Sequence, residues 1–447
     1  MKRSGVQFPS APQIFRTGVD PTGGPPRAAK TVVGTVESVR TATDEIARRH
    51  LVTLAKDLFA HGAAGTTPVT DRVVSIPASR YTDPEYYELE KAKIFRRVPL
   101  IVAASCEIRE AGSHTTLDIA GIPVLVVRGR DGVARAFLNV CTHRGAILAK
   151  GADTSLRLSC PYHGWVFDDK GALVGVPCRK EFGEVDTPNL GLKEFPVRER
   201  GGLIWAILDP ESTLDIDAFL GDYGAMLEQF GLETWHMLDR RAMKGANWKL
   251  AFDAHLDFYH LPVLHRNTFG ADVSPQAHYY HFGPHQRLAR PGKRGGPSTP
   301  PHADLFAQQD LPEDQWTIEA MMIGEWIVYP NVSINSFYAG GRGVIISQIL
   351  PGVNVDESIT VQTYLTENEP NDDDRVIAQN MFNFLGDVVD GEDLPTSVDQ
   401  QRALSAGIIK SVNFGRNEGG LQRFHELSDQ LLAVADADLV HRCHPVS

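Results

Sequence analysis

The spacing of apolar residues divides the chain into segments of different character. Val39, Ile46, Leu51, Leu54, Leu58 and Phe59 fall near helical spacing and predict a helix over 36–61, broken by Gly62 to Thr67. A second helix is predicted over 84–97. Asp83-Pro84 opens it, and Tyr87, Leu89, Ile94 and Phe95 supply a buried face. From 98 to 209 the pattern shortens to β-rich runs such as Pro123-Val-Leu-Val-Val-Arg and Leu203-Ile-Trp-Ala-Ile-Leu, separated by turn residues such as Asp131-Gly132 and Lys170-Gly171. That is the pattern of a small all-β domain. After Asp209-Pro210 it becomes mixed. Helices are predicted at 215–230, 248–262, 371–389 and 420–435, and strands near 235–243, 277–289, 324–338, 342–350 and 358–366. Residues 1–35, rich in Pro, Gly and basic side chains, show no sustained period and are expected to be a disordered leader. The expected organisation is therefore a leader (1–35), N-terminal helices (36–97), a β-domain (98–209) and an α+β domain (210–447). No internal repeat is visible.

Composition narrows the function classes. The 447 residues are 42% hydrophobic and 22% charged, as in a soluble globular protein of two or three domains. A net charge of -12 repels phosphate backbones and argues against a nucleic-acid partner. No run of ~18 apolar residues marks a membrane span, and no apolar signal region opens the chain. Five cysteines, an odd number, do not make a disulfide framework, so a reducing cytoplasm is the expected setting. In such a compartment, spaced Cys and His pairs point to metal.

Two such pairs lie in the β-domain. One arm reads Asn139-Val-Cys141-Thr-His143-Arg-Gly145, the other Cys160-Pro-Tyr-His163-Gly-Trp165. Zinc is the competing reading, but zinc fingers pair Cys with Cys and His with His at wider spacing. A one-residue gap between Cys141 and His143 suits ligands of two different metals. A two-iron, two-sulfur cluster with two thiolates on one iron and two imidazoles on the other uses that arrangement. Gly145 and Gly164 let the loop backbones approach the cluster. The pattern, with its Tyr-His-Gly-Trp ending, strongly resembles Rieske domains over roughly 98–209.

The second constellation is Asp257-Phe-Tyr-His260, followed by His265 after Leu-Pro-Val-Leu. Pro262 should kink or end the predicted helix and swing His265 towards His260. Two imidazoles and a carboxylate on one face of Fe(II) leave positions open for oxygen and substrate. With Asn247-Trp-Lys249 before it, this stretch resembles the catalytic alpha subunit of Rieske non-haem iron oxygenases of the aromatic-ring-hydroxylating type. The resemblance spans about 84–410.

The resemblance implies several things. The third ligand is expected at Asp393, in Gly391-Glu392-Asp393-Leu394-Pro395, with Glu392 and Asp387 as competitors. The catalytic half is expected to be a helix-grip fold, a curved antiparallel sheet around a long helix. Three chains are expected to pack head to tail, with Asp257 as the catalytic link between His163 of one subunit and His260 of the next; alternatively, Asp257 only orients His260 in its own chain. The sequence departs from the family pattern at Phe252-Asp253, where many members carry Glu-Asn, so Asp253 is expected near the iron as a charge-tuning or hydrogen-bonding group.

An oxygenase of this kind needs O2 and electrons from NADH or NADPH through a separate reductase, directly or by way of a ferredoxin, since no flavin or nicotinamide fingerprint is present. A small β subunit is left open. Phe252, Phe258, Leu261, Phe269, Trp326, Phe337 and Tyr338 are candidate cavity walls, which favours mono- or cis-dihydroxylation of an aromatic or cyclic apolar compound, as in aromatic hydrocarbon catabolism. Oxidative O- or N-demethylation is the alternative, and an electron carrier or a ligand-binding protein is the alternative from another class. Arg287, Arg290, Lys293 and Arg294 are expected on a flexible loop that guides an anionic substrate or is simply solvated. His278, His281 and His285 fall in a predicted strand and read as surface or pocket polar residues, not as a third metal site.

Overall fold

The computed structural model describes residues 36–271, 273–289 and 300–444, so the expected leader and Arg290, Lys293 and Arg294 lie outside the described residues. The chain divides into two units between Thr41 and Ala42. Helix α1 (Val36–Ala64) begins in the first and continues into the second, where Ala47, Leu51, Ala55 and Leu58 are buried. No helix among the described residues is long and apolar enough to cross a membrane.

The β-domain is built from strands β1 (Leu100–Ala104), β2 (Ser113–Ile119), β3 (Ile122–Arg128), β4 (Ala134–Leu138), β5 (Arg157–Ser159), β6 (Val166–Asp168), β7 (Leu173–Gly175) and β8 (Leu203–Ala206). Strand β3 lies between β2 and β4, with Val126 opposite Thr115 on one side and Ala136 on the other. Because successive side chains of a strand point to opposite faces, β3 serves two cores. Val124 and Val126 join the main core, while Leu125 and Val127 pack with Phe137, Leu158, Trp165 and Phe167 around Cys141 and Cys160. Each fully buried Val or Leu contributes about 1.5–3 kcal/mol.

The second domain contains α2 (Ile216–Glu228), β9 (His236–Gly245), α3 (Trp248–Asp253), α4 (Leu261–Leu264), β10 (His278–Phe282), β11 (His285–Ala289), β12 (Gly324–Val328), β13 (Val332–Tyr338), β14 (Arg342–Pro351), β15 (Ser358–Thr366), α5 (Asp372–Val388), α6 (Leu394–Ser405) and α7 (Gly419–Ala433). Its seven-stranded antiparallel sheet runs β9-β15-β14-β13-β12-β11-β10. The expected α+β architecture of a β-domain beside an antiparallel sheet with helices is what the chain adopts.

One expectation needs correction. The helix predicted over 248–262 stops at Asp253, and 254–260 are turns before the short α4. Asp257 accepts a hydrogen bond from the Tyr259 backbone N–H, a local pairing that competes with helix, and Pro262 fits the first turn of α4. The Asn247-Trp-Lys249 motif pins the start of α3. Asn247 caps the helix by accepting from the Lys249 N–H at 2.9 Å and donates to the Val355 carbonyl at 2.7 Å. Glu90 lies 2.6 Å from the Lys249 ammonium and accepts from the Trp248 indole at 3.1 Å, all buried. Helix α6, which the sequence reading missed, anchors to the same point: Gln401 accepts from the Asn247 N–H at 3.3 Å and donates to the Tyr81 carbonyl at 3.0 Å.

Candidate active site

The two arms of the β-domain form matching loops. Cys141 donates its N–H to the Ala146 carbonyl at 2.8 Å, and Gly145 returns a bond to the Cys141 carbonyl at 2.9 Å. In the other arm Cys160 donates to Trp165 at 2.7 Å, and Gly164 bonds back to Cys160 at 3.0 Å. Gly145 and Gly164 adopt φ of +74° and +69°, which L side chains avoid. Both thiols are buried and free of disulfide. Burial raises the Cys141 pKa, the backbone N–H of His143 lowers it, and the neighbouring Cys160 thiol raises it again.

The imidazoles sit alongside, with His143 and His163 ring centroids 4.7 Å apart and His143 stacked on Trp165 at 4.7 Å. His143 Nδ1 is buried without a hydrogen-bond partner among the described residues. Two adjacent thiols, two adjacent imidazoles and an orphaned nitrogen fit a Rieske-type [2Fe-2S] cluster.

The second site joins three elements. His260 ends the turn after α3, His265 follows α4, and Asp393 closes the π-helical turn between α5 and α6. Asp393 Oδ1 lies 3.1 Å from His265 Nε2 and 3.7 Å from His260 Nε2, and the ligand atoms of all three residues lie within 4.8 Å of one another. Asp393 Oδ1 is buried and has no hydrogen-bond partner among the described residues.

The outer nitrogens are held by carboxylates. His260 Nδ1 donates to Asp257 at 3.1 Å, and His265 Nδ1 donates to Glu392 at 2.6 Å. These bonds turn both Nε2 atoms towards Asp393, as metal-ligating histidines require. Burial lowers the His265 pKa, but Asp393 and Glu392 outweigh it, and the net shift is upward. The donor set of two imidazoles and one carboxylate fits a mononuclear iron with open positions.

The competing carboxylates separate by geometry. Glu392 also accepts from the Thr268 hydroxyl, so it braces His265 instead of facing the open centre. Asp253 is drawn elsewhere: it accepts from Tyr81 at 2.7 Å and lies 3.1 Å from His425 Nε2. Its carboxylate is engaged in that buried polar cluster, not among the residues converging on Asp393.

The cavity beside the centre differs from expectation. Ala251, Ala254, His255, Thr360, Val389, Asp393 and Leu394 line it, and none of the seven aromatic or apolar wall candidates is among them. Phe252 packs edge-on against Phe424, Trp326 edge-on against Phe230 and tilted against Tyr223, and Phe337 tilted against Tyr364, while Tyr338 is exposed. Phe269 lies edge-on to His265 at 5.2 Å.

The sheet beneath is polar. The cross-strand pairs Glu325–Asn335, Ser333–Ser347 and Ser347–Gln362 place these side chains on the same face as the lining residue Thr360. Buried Glu325 accepts from Ser333 and Asn335 and lies 3.7 Å from His255 Nδ1. Burial raises its pKa, but His255, Ser333 and Asn335 outweigh this and the net shift is downward, so it stays charged. Arg241 continues the strip, donating to Gln362 at 2.7 Å.

Sequence reading missed Glu325 because alternation along β12 places it inward but cannot say what it meets. Arg287 is likewise no loop residue. It is buried in β11 and donates to the Met321 and Ile323 carbonyls at 2.7 Å each. His278 opens β10, as expected of a strand residue, and lies buried against Asp57 and His61 of α1.

Comparison with known proteins agrees with this geometry. Residues 98–196 match the Rieske [2Fe-2S] domain, and residues 232–433 match the ring hydroxylating alpha subunit catalytic domain. The carnitine monooxygenase oxygenase subunit of Escherichia coli is 28% identical over 373 residues, covering 80% of this chain and 93% of that protein. The glycine betaine monooxygenase oxygenase subunit of Pseudomonas aeruginosa is 34% identical over 199 residues, 44% of this chain and 46% of that protein. Among solved structures, the quaternary ammonium Rieske monooxygenase CntA superposes with a TM-score of 0.66 at 22% identity, covering 80% of this chain and 95% of that one. Naphthalene 1,2-dioxygenase from Rhodococcus sp. gives 0.66 at 21% identity, covering 80% and 94%.

Proposed function

This chain belongs to the Rieske non-haem iron oxygenases, as the alpha subunit of a terminal oxygenase that uses O2, and we propose that its substrate is a methylated ammonium cation, oxidised at a carbon bonded to nitrogen. Held by Cys141, His143, Cys160 and His163, a [2Fe-2S] cluster supplies single electrons, and an iron held by His260, His265 and Asp393 supplies the site of O2 activation.

The observation that carries the substrate reading is the charged, buried Glu325 on the sheet face beneath the cavity, next to the lining residue His255. Among the described residues the imidazole of His255 is the one ion-pair neighbour of Glu325, with no Lys or Arg against it, and a buried carboxylate so placed favours a cation in the adjoining space. The small apolar residues Ala251, Ala254, Val389 and Leu394 suit methyl groups. The relatives that oxidise carnitine and glycine betaine agree with this reading. The aromatic, apolar substrate expected from sequence rested on an aromatic wall that the lining does not contain.

The proposed reaction inserts one atom of O2 into a C–H bond, while two electrons and two protons reduce the other atom to water. The hydroxylated carbon then gives up its hydroxyl proton to solvent, its oxygen becomes the carbonyl, the C–N bond breaks with its electron pair passing to nitrogen, and an aldehyde and a neutral amine remain. Glu325 holds the cation, and the turn from Ala254 to His260 sets its distance from the histidines.

In the same reading the subunits form a head-to-tail trimer in which Asp257 joins His260 to the partner subunit's His163, and a separate NAD(P)H-dependent reductase feeds the cluster, directly or through a ferredoxin. Exposed Ile147, Tyr162 and Phe182 near the cluster loops, and exposed Tyr259 and Val263 beside the second site, are the apolar surfaces such packing covers. The free cysteines suit a cytoplasmic setting.

The test is turnover with a surrogate reductase on carnitine, glycine betaine, anthranilate and naphthalene, with products read by mass. Aldehyde and amine from the ammonium compounds are expected. A ring product carrying two added oxygens, with the ammonium compounds untouched, would overturn the substrate reading and leave the oxygenase assignment standing.

A further inference from the structure

We infer that Asp57, His61 and His278 form a second metal site, distinct from the His260–His265–Asp393 centre, which binds a zinc ion and ties α1 to β10, the edge strand of the large sheet. Three residues from two elements converge there. Asp57 and His61 are one helical turn apart on α1, with Oδ1 and Nε2 separated by 3.6 Å. His278 opens β10, its Nδ1 3.9 Å from Asp57 Oδ2. The ligand atoms of all three lie within 4.8 Å of one another, and the two imidazole rings are 4.7 Å apart. Ligands of a tetrahedral zinc, at metal distances of about 2.0–2.1 Å, sit roughly 3.3 Å apart. A small inward movement of these side chains reaches that spacing.

The independent observation is His278 itself. It is 1% exposed, yet among the described residues neither ring nitrogen has a hydrogen-bond partner. Buried polar atoms in native proteins are nearly always paired, and a doubly orphaned imidazole beside a carboxylate and a second imidazole is what a ligand looks like without its metal.

The groups behind the ligands are in place too. His61 Nδ1 is 2.8 Å from the Thr66 hydroxyl, which turns Nε2 towards the site. Tyr280 donates its hydroxyl to Asp57 Oδ2 at 2.9 Å, leaving Oδ1 for the metal. Outer-shell bonds of this kind orient metal ligands. Two nitrogens and one oxygen suit Zn2+, with water in the fourth position.

The site's consequence is mechanical. Helix α1 covers one end of the sheet through Leu51, Leu54, Ala55 and Leu58, which face Tyr280, Arg287 and Ala289. The ion adds a polar clasp at the end of that apolar contact and closes the chain between Asp57 and His278.

The experiment titrates zinc chloride into the full-length, iron-loaded enzyme by calorimetry, with thermal unfolding in parallel. One zinc equivalent per chain beyond the iron sites, and a raised Tm, are expected. His61→Ala and Asp57→Asn should weaken that binding at least ~tenfold and remove the Tm rise. His260→Ala, which alters only the oxygenase centre, should keep both. His61 is partly exposed, so its replacement is not expected to prevent folding, and retained cluster absorbance checks this. Equal zinc binding by the wild type and His61→Ala overturns the inference, as does the absence of zinc binding by the wild type at micromolar concentrations.

Discussion

Glu392→Gln isolates what one outer carboxylate contributes to the iron centre. In the wild type His265 Nδ1 donates to Glu392 at 2.6 Å, and Thr268 donates to the other carboxylate oxygen. Glutamine keeps the shape. Its carbonyl still accepts from His265, and its amide faces the Thr268 hydroxyl, which can turn to accept. Only the charge is lost. A hydrogen bond to a charged group contributes about 1.5–3 kcal/mol against about 1 kcal/mol for a neutral one. The difference of roughly 1–2 kcal/mol corresponds to iron binding weaker by about 5–30-fold, within the range seen when outer-shell partners of metal ligands are removed. The assay follows iron release to a ferrous chelator, with cluster absorbance as an internal reference. The expected result is faster iron loss with an unchanged cluster. Unchanged iron retention would refute the bracing role. Loss of iron as complete as in Asp393→Ala would instead make Glu392 a ligand.

Asp257→Asn should retain both the cluster and the iron but lose nearly all turnover, because a neutral amide cannot accept N–H bonds from imidazoles on both sides; near-normal turnover would eliminate the link between subunits. Glu325→Gln should raise KM for ammonium substrates by about tenfold or more, the equivalent of ~1.4 kcal/mol of lost attraction, with a smaller change in kcat; an unchanged KM would show that no cation sits near Glu325. Acid should destabilise the fold through His285, which is fully buried, stacked on Tyr223 and held neutral by burial, with a pKa pushed down to about 3. The unfolded chain takes up this proton near pH 6.5 and the folded chain only near 3. The neutral form's stability is therefore complete above ~6.5 and lost at about 1.4 kcal/mol per pH unit as pH falls towards 3. His285→Asn should flatten the slope of unfolding against pH across that window, and a slope equal to that of the wild type would refute the assignment.

Local features of the chain were enough for the cluster loops and for the histidine pair. Cys141, His143, Cys160 and His163 lie in two short arms whose spacing already carries the chemistry, because each loop holds one thiol and one imidazole within a few bonds. His260 and His265 are likewise close in sequence, with Pro262 between them. The alternation of apolar residues also placed most strands of the large sheet, since a strand's two faces follow from its period.

Tertiary structure decided the questions in which distant residues compete for one point in space. Asp393 and Glu392 are neighbours with the same chemistry. Only the π-helical turn before α6 aims one at both Nε2 atoms and the other at Nδ1 of His265. Asp253 was drawn to Tyr81 and His425, residues far from it in sequence. Arg287 was buried because β11 is an inner strand whose neighbour β12 carries Trp326, over which the guanidinium lies at 4.1 Å. The polar floor of the cavity required the register of four strands, which places Glu325, Ser333, Ser347 and Gln362 on one face. Asp57 and His278 are more than two hundred residues apart, and nothing in the local pattern of either indicates the other. Spacing determines chemistry when the ligands share a loop; when they come from separate elements, packing brings them together and a single sequence does not record it.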